Sequence, residues 1–199
     1  ELGFLDGNMY IISCQYDQSQ VTANSTSIPV TLLSTPLCID PKGNETLTQT
    51  KTEPTNPLYS LDKQQSSLVY YDENTIVLTM PYWVKVTNSS VEDSEVKKHS
   101  FVLSYDPEAM TASDTKLKLY ISHVVEDAGE TVTRSNFTYA YRAYSIRAAL
   151  AAFKEKTGKL PKYLELTAEI NNSKDELVDK DGKETSVERS VEYDYAFTE

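Results

Sequence analysis

In "IVLTMPYWVKV" the residues Ile76, Leu78, Met80, Tyr82, Val84 and Val86 fall on alternate positions. That is the period-two signature of a strand with one buried face. The same alternation collects His99, Phe101, Leu103 and Tyr105 in "HSFVLSY", and Leu117, Leu119, Ile121, His123 and Val125 in "KLKLYISHV". In "SNFTYAY" it collects Phe137, Tyr139 and Tyr141. Asp72-Glu73-Asn74 separates "SSLVYY" from Ile76 and reads as a turn. Pro81 sits mid-run on the opposite face, which predicts an edge strand or a bulge. Near the end, "YLELTAEI" and "SVERSVEYDYAF" predict a hairpin about Asp181-Gly182, with Ile170 facing Tyr193 and Leu166 facing Phe197.

One segment changes period. "YSIRAALAAFKEKTGKLP" spaces Ile146, Ala149, Leu150 and Phe153 as a helix. Ser145 is placed to cap its start, Lys154 and Lys156 suit its last turn, and Gly158 followed by Pro161 suits its stop. The first 60 residues read instead as short strands, "NMYIISCQY" and "SIPVTLLS", joined by polar punctuation. The Pro54–Pro57 stretch is the best linker. The expected architecture is all-β: a small OB-like or barrel-like unit over residues 1–56, then an antiparallel β-sandwich with one packed α-helix over residues 57–199.

Charge narrows the function. The 199 residues carry a net charge of −11, the wrong sign for a nucleic-acid binder, whose affinity rests on neutralising phosphates. It is also repelled by anionic headgroups. No run of 18 apolar residues occurs, so no membrane-spanning helix is expected. The opening "ELGFLDGNMY" has no charged n-region and no cleavage site, as in a mature secreted chain or an artificially trimmed one. Cys14 and Cys38 are an even pair, open to a disulfide or to two buried thiols.

The two histidines invite a register argument. If "HSFVLSY" and "KLKLYISHV" form a hairpin, pairing Tyr105 with Leu117 sets His99 opposite His123. Extending the sheet to "TRSNFTYAY" sets His123 opposite Ser135. A polar cluster of His99, His123 and Ser135 is therefore expected at one end of an apolar face. Its plainest reading is structural, since buried polar groups need partners. A metal site would need a third and fourth ligand, and Glu126 and Asp127 lie beyond the strand end. A Ser135 nucleophile would need an oxyanion hole and an orienting acid.

Other signals are weaker. Asp175, Glu176, Asp179, Asp181 and Glu184 surround Gly182, but an EF-hand's third acid and helices are missing. Sequons occur at Asn24, Asn44, Asn88, Asn136 and Asn171. Trp83, Tyr70, Tyr71 and Tyr82 offer an aromatic face for sugars or peptides, or simply sheet cover. No phosphate-cradling glycine loop, CxxC, HExxH or GxSxG occurs. No cofactor, metal ligand set or catalytic residue is therefore assigned.

"KKHSFVLSY" followed by "LKLYISHVVED" resembles the NigD-like family of Bacteroidetes lipoproteins, mainly over residues 59–127. His99 and His123 fall on that family's two histidine positions, with Val124 where the family has asparagine. The resemblance implies an OB-like unit before a β-sandwich and a signal peptide with a lipidated cysteine outside this chain. It also implies an extracytoplasmic, outer-membrane-anchored location, in the periplasm or at the surface. It implies no enzyme activity. The expected function is a non-catalytic binding or interaction protein with a protein or glycan ligand. It has no nucleic-acid partner, and its one membrane attachment is the N-terminal anchor. The alternatives are a glycan-acting hydrolase with paired carboxylates and a structural subunit of a surface fibre.

Overall fold

The computed structural model describes residues 4–5, 7–39, 45–127, 132–173 and 185–197, and of 45–46 the backbone alone. The chain divides into two compact units, Glu1–Gly43 and Asn44–Glu199.

The first unit contains two small antiparallel ribbons. β1 (Met9–Ile11) pairs with β4 (Leu37–Ile39), and β2 (Cys14–Gln15) with β3 (Thr31–Leu32). Among the described residues they form two-stranded sheets and close no barrel. Asp17 caps a single 3-10 turn, its carboxylate accepting from the Ser19 amide and hydroxyl. Ile39 is the one described large apolar side chain of this unit that is buried, whereas Leu5, Ile12, Val30 and Leu33 are exposed. Cys14 and Cys38 are free thiols on separate ribbons.

The second unit is a sandwich of two four-stranded sheets. One runs β5 (Glu45–Thr46), β10 (Asn136–Ser145), β7 (Thr75–Val84), β6 (Ser67–Asp72). The other runs β12 (Val187–Asp194), β11 (Tyr163–Ile170), β9 (Lys116–Val125), β8 (His99–Ser104). The alternating sets read from the sequence meet between them. Ile76, Leu78, Met80, Tyr82 and Val84 face Phe101, Leu103, Leu117, Leu119, Leu164 and Leu166 in one core. The chain is mostly strand, an all-β sandwich with helices as additions.

α2 (Arg147–Thr157) buries Ala149, Leu150 and Phe153 as its spacing required. Gly158 ends it at φ 75°, donating its amide to the Lys154 carbonyl at 2.8 Å. Ser145 does not cap it. It is the last residue of β10, paired with Thr75, and Ile146 takes the cap position without a side-chain hydrogen bond. A second helix, the single turn α1 (Asp93–Val96), lies in what reads as polar loop.

Three strand pairings differ from expectation. β8 and β9 pair His99 with Val125 and Phe101 with His123, two residues from the expected alignment. A shift of two keeps every side chain on its face; Tyr105 leaves the hairpin and donates its amide to the Thr48 carbonyl instead. β11 and β12 pair Ile170 with Val187 and Leu166 with Val191, again an even shift. The expected turn at Asp181-Gly182 lies outside the described residues. Lastly, β10 does not join β9. It crosses to the other sheet and pairs ten residues with β7, while β9 takes β11 as a parallel neighbour.

Pro81 is in a central strand, not at an edge. Its carbonyl accepts from the Tyr59 amide, so its missing N–H points away from β10. On that side β6 has already ended, its ladder closing at Ser67 opposite Thr79. No bond to β10 is lost, which is how a central strand accommodates proline here. The compact second unit also begins earlier than the expected boundary at residue 56. Leu47 is buried, Thr48 donates its amide to the Leu103 carbonyl, and the Thr55 and Asn56 amides donate to the His123 carbonyl. Residues 45–56 thus serve as edge and lid of the sandwich, though their Thr, Pro and Asn content reads as a linker.

Candidate functional site

The two imidazoles meet at one end of the sandwich, as diagonal rather than direct cross-strand neighbours. Rings at this offset remain within reach across an antiparallel pair. His99 Nδ1 lies 2.9 Å from His123 Nε2, and the rings stack at 5.1 Å between centroids. Phe101, directly opposite His123, stacks on its ring at 4.9 Å. Tyr82 of β7 closes the far side, 4.8 Å from His99 and 5.6 Å from His123. His99 is 6% exposed and His123 1%.

Ser135, the expected third member, is absent from the cluster. β10 lies in the other sheet, Ser135 is exposed, and its hydroxyl accepts from the Asn136 amide at 3.5 Å. Its neighbour Arg134 takes the place, arriving from the segment before β10. The Arg134 Nε donates to Glu95 Oε1 at 2.7 Å, and its two terminal nitrogens donate to Asp127 at 2.7 and 2.8 Å. Lys98 adds a looser contact to Asp127 at 3.4 Å. Glu95 Oε1 also accepts from the Lys85 amide at 3.0 Å and stands 3.2 Å from His99 Nε2. At the other end His123 Nδ1 donates to the Pro57 carbonyl at 3.1 Å. The cluster thus runs Asp127, Arg134, Glu95, His99, His123, Pro57.

α1 is what delivers Glu95. Glu95 stands four residues before His99, and across the junction from the turn, which ends at Val96, to β8 its carboxylate reaches the ring. That spacing was present in "EVKKH" and is the signal that could have found Glu95. Arg134 had no comparable signal, because its position depends on β10 changing sheets.

Electrostatics follow from burial and these bonds. Burial pushes the His123 imidazole down to about 3, the adjacent His99 acting the same way and the Pro57 carbonyl opposing. Burial also lowers His99; the Glu95 hydrogen bond works against that and Arg134 with it. Burial pushes the Glu95 carboxyl up, but the Lys85 amide, Arg134 and His99 outweigh it and hold it below the usual range. Arg134 likewise holds Asp127 down. Every member faces another member or the backbone. Among the described residues, no group of three or more His, Cys, Asp or Glu is arranged to hold a metal ion.

The aromatic candidates separate. Tyr82 is core, and Trp83 is buried with its indole N–H donating to the Asn171 carbonyl at 2.7 Å. The Tyr70 hydroxyl donates to the Asp194 carbonyl, while Tyr71 is 69% exposed. A different set forms a surface strip on the outer face of β7 and β10. Tyr59 stacks on Phe137 at 4.1 Å and meets Trp83 edge-on at 5.0 Å, and Phe137 meets Tyr139 edge-on at 5.9 Å. Phe137 and Tyr139 are each 41% exposed. Of the sequons, Asn171 is engaged with Thr185 and Asn44 lies outside the described residues. The acidic loop from Asp175 to Glu184 also lies outside them.

This fold defines an all-β sandwich with a buried polar cluster at one end. No family model matches the chain, and no curated protein matches it. Among solved structures it is similar to that of a candidate lipoprotein of Bacteroides fragilis NCTC 9343, at 28% identity and a TM-score of 0.73. The match covers 98% of this chain and 85% of that one. It is similar in fold to an uncharacterised protein of Parabacteroides merdae ATCC 43184, at 14% identity and a TM-score of 0.55, over 98% of this chain and 84% of that one. The first of these likenesses accords with a Bacteroidetes lipoprotein.

Proposed function

We propose that this chain is a non-catalytic, extracytoplasmic binding or interaction protein of the bacterial envelope, a NigD-like lipoprotein carried on an N-terminal lipid anchor. The likeness to the Bacteroides fragilis candidate lipoprotein supports the location. The observation that carries the binding role is the aromatic strip of Tyr59, Phe137 and Tyr139 on the outer sheet face. Rings of this kind bring large apolar area and a polar tip to a surface, and suit the apolar face of a sugar or a protein side chain. The carboxylates that the fold brings together fit catalysis less well. Glu95 and Asp127 share Arg134, and Glu165 and Glu192 share Lys116, so each pair is bridged by a cation.

The test is a panel of glycans and peptides presented to the intact chain and to a Phe137→Ser/Tyr139→Ser variant, alongside hydrolase assays on the same glycans. Retention by the native chain and loss in the variant supports the reading. Turnover with no retained ligand overturns it.

A further inference from the structure

Three hydrogen-bond gaps run in series through the histidine cluster. Pro57 O faces His123 Nδ1 at 3.1 Å, His123 Nε2 faces His99 Nδ1 at 2.9 Å, and His99 Nε2 faces Glu95 Oε1 at 3.2 Å. Each gap needs one proton, because two lone pairs at such a distance repel and a buried acceptor pair without a donor is costly. The Pro57 carbonyl can only accept. It therefore fixes a proton on His123 Nδ1 and leaves Nε2 as an acceptor, which requires His99 to donate from Nδ1. The two protons of two neutral imidazoles are then used. His99 Nε2 would point a lone pair at Glu95 Oε1, and that oxygen is held in place by the Lys85 amide and Arg134 Nε.

We propose that the folded chain closes this third gap by retaining one proton between His99 and Glu95, making the series Pro57–His123–His99–Glu95 a proton-binding site that latches three segments together. The groups that face it are Glu95 of α1, Arg134 ahead of β10, Asp127 after β9, Lys98 ahead of β8 and Tyr82 of β7. Arg142 of β10 lies one layer away, over the Phe101 ring. Burial and Arg134 oppose the extra proton and by themselves set His99 below its ordinary value, but they are outweighed by the cost of two buried acceptors facing each other at 3.2 Å. The Glu95 carboxylate and the closure of the third bond favour it, and the pair titrates as a unit rather than as two separate groups. When the proton is present, the series joins the loop ending at Pro57, α1 and the β8–β9 hairpin. When it leaves, Glu95 and His99 face each other as acceptors and α1 loosens.

The sign follows from linkage. Above about pH 6.5 the unfolded histidines, and well below that the unfolded Glu95, have released their protons. The folded state still holds one. Folding therefore takes up a proton, and stability falls as the pH rises toward the site's own release point, the folding constant dropping about tenfold per pH unit.

Nitrogen-15 NMR of the imidazoles of the intact chain at pH 7.5 reads the site directly. The expected spectrum has His123 neutral with its proton on Nδ1, and His99 protonated on Nδ1 with a second proton at Nε2 shared with Glu95. Two neutral imidazoles beside an ionised Glu95 would overturn the proposal. Urea denaturation between pH 6.5 and 9.5 gives the second reading. In Glu95→Gln a side-chain amide N–H can serve neutral His99, so the alkaline loss seen in the native chain should vanish; an equal loss in both chains also overturns the proposal. Should Glu95→Gln fail to fold, the native spectrum decides alone.

Discussion

Arg134 Nε donates to Glu95 Oε1 at 2.7 Å, with side chains only 5% and 6% exposed, although 39 residues separate them. The same guanidinium forks onto Asp127 at 2.7 and 2.8 Å. One cation thus compensates two carboxylates, and it ties the entry to β10 to the exit from β9 and to α1. Removing it leaves the Glu95 carboxylate buried with only the Lys85 amide and His99 to hold it. Arg134→Met should cost roughly 3–5 kcal/mol, the range for breaking a buried ion pair from one side. Arg134→Lys should recover little, since one ammonium does not span both acids as the planar fork does. Urea denaturation of both variants checks this, and a loss under about 1 kcal/mol in Arg134→Met would show the pair to be dispensable.

Gly158 isolates a backbone effect. It ends α2 at φ 75°, and a Cβ built there meets nothing within 4 Å. Space is available, so any penalty in Gly158→Ala comes from the left-handed conformation itself. The expected loss is about 1 kcal/mol, read as a small fall in Tm with no change in the circular-dichroism spectrum.

How much of this was legible beforehand depended on whether neighbouring residues decided it. Period-two runs fixed which side chains of β7, β8, β9 and β11 turn inward, because alternation is local and survives an even slip of register. The spacing of Ile146, Ala149, Leu150 and Phe153 fixed α2 in the same way. The meeting of His99 and His123 survived for that reason too. β10 was different: it carries Phe137, Tyr139 and Tyr141 on one face and Ala140 and Tyr144 on the other, so its own pattern names no inward side. The structure turns Ala140 and Tyr144 inward and leaves Phe137 and Tyr139 outside. With β10 misplaced, Ser135 entered the expected cluster and Arg134 was missed. Glu95 was hidden by composition, since "VEDSEVKK" reads as solvated loop although one of its acids is buried.

The position of the boundary between units has a direct test. A chain starting at residue 44 keeps Leu47, the Thr48 bonds to Leu103 and Tyr105, the Thr55 and Asn56 bonds to the His123 carbonyl, and the Pro57 carbonyl that accepts from His123. A chain starting at residue 58 loses them all. Each hydrogen bond contributes roughly 1 kcal/mol, and domains are stable by only about 5–15 kcal/mol. The longer chain should unfold cooperatively near the Tm of the full chain. The shorter one should express poorly or melt without a sharp transition. Equal cooperativity in the two would mean that residues 44–57 contribute nothing to the sandwich.

Acid should begin to destabilise this protein well above the pH at which ordinary carboxylates titrate, and His123 is the reason. In the unfolded chain its imidazole takes up a proton near pH 6.5. In the folded chain burial, helped by His99, holds it to about 3. Between those values the unfolded state binds the extra proton, so stability declines as the pH falls, by up to about 1.4 kcal/mol per pH unit for that proton. Asp127, held down by Arg134, extends the loss below its ordinary range. Denaturation midpoints measured from pH 6 down to pH 4 should fall throughout. In His123→Gln, which keeps an amide N–H for the Pro57 carbonyl but does not titrate, the fall between pH 6.5 and 5 should be markedly shallower. An unchanged slope in that variant would move the acid sensitivity away from His123 to other groups of the chain.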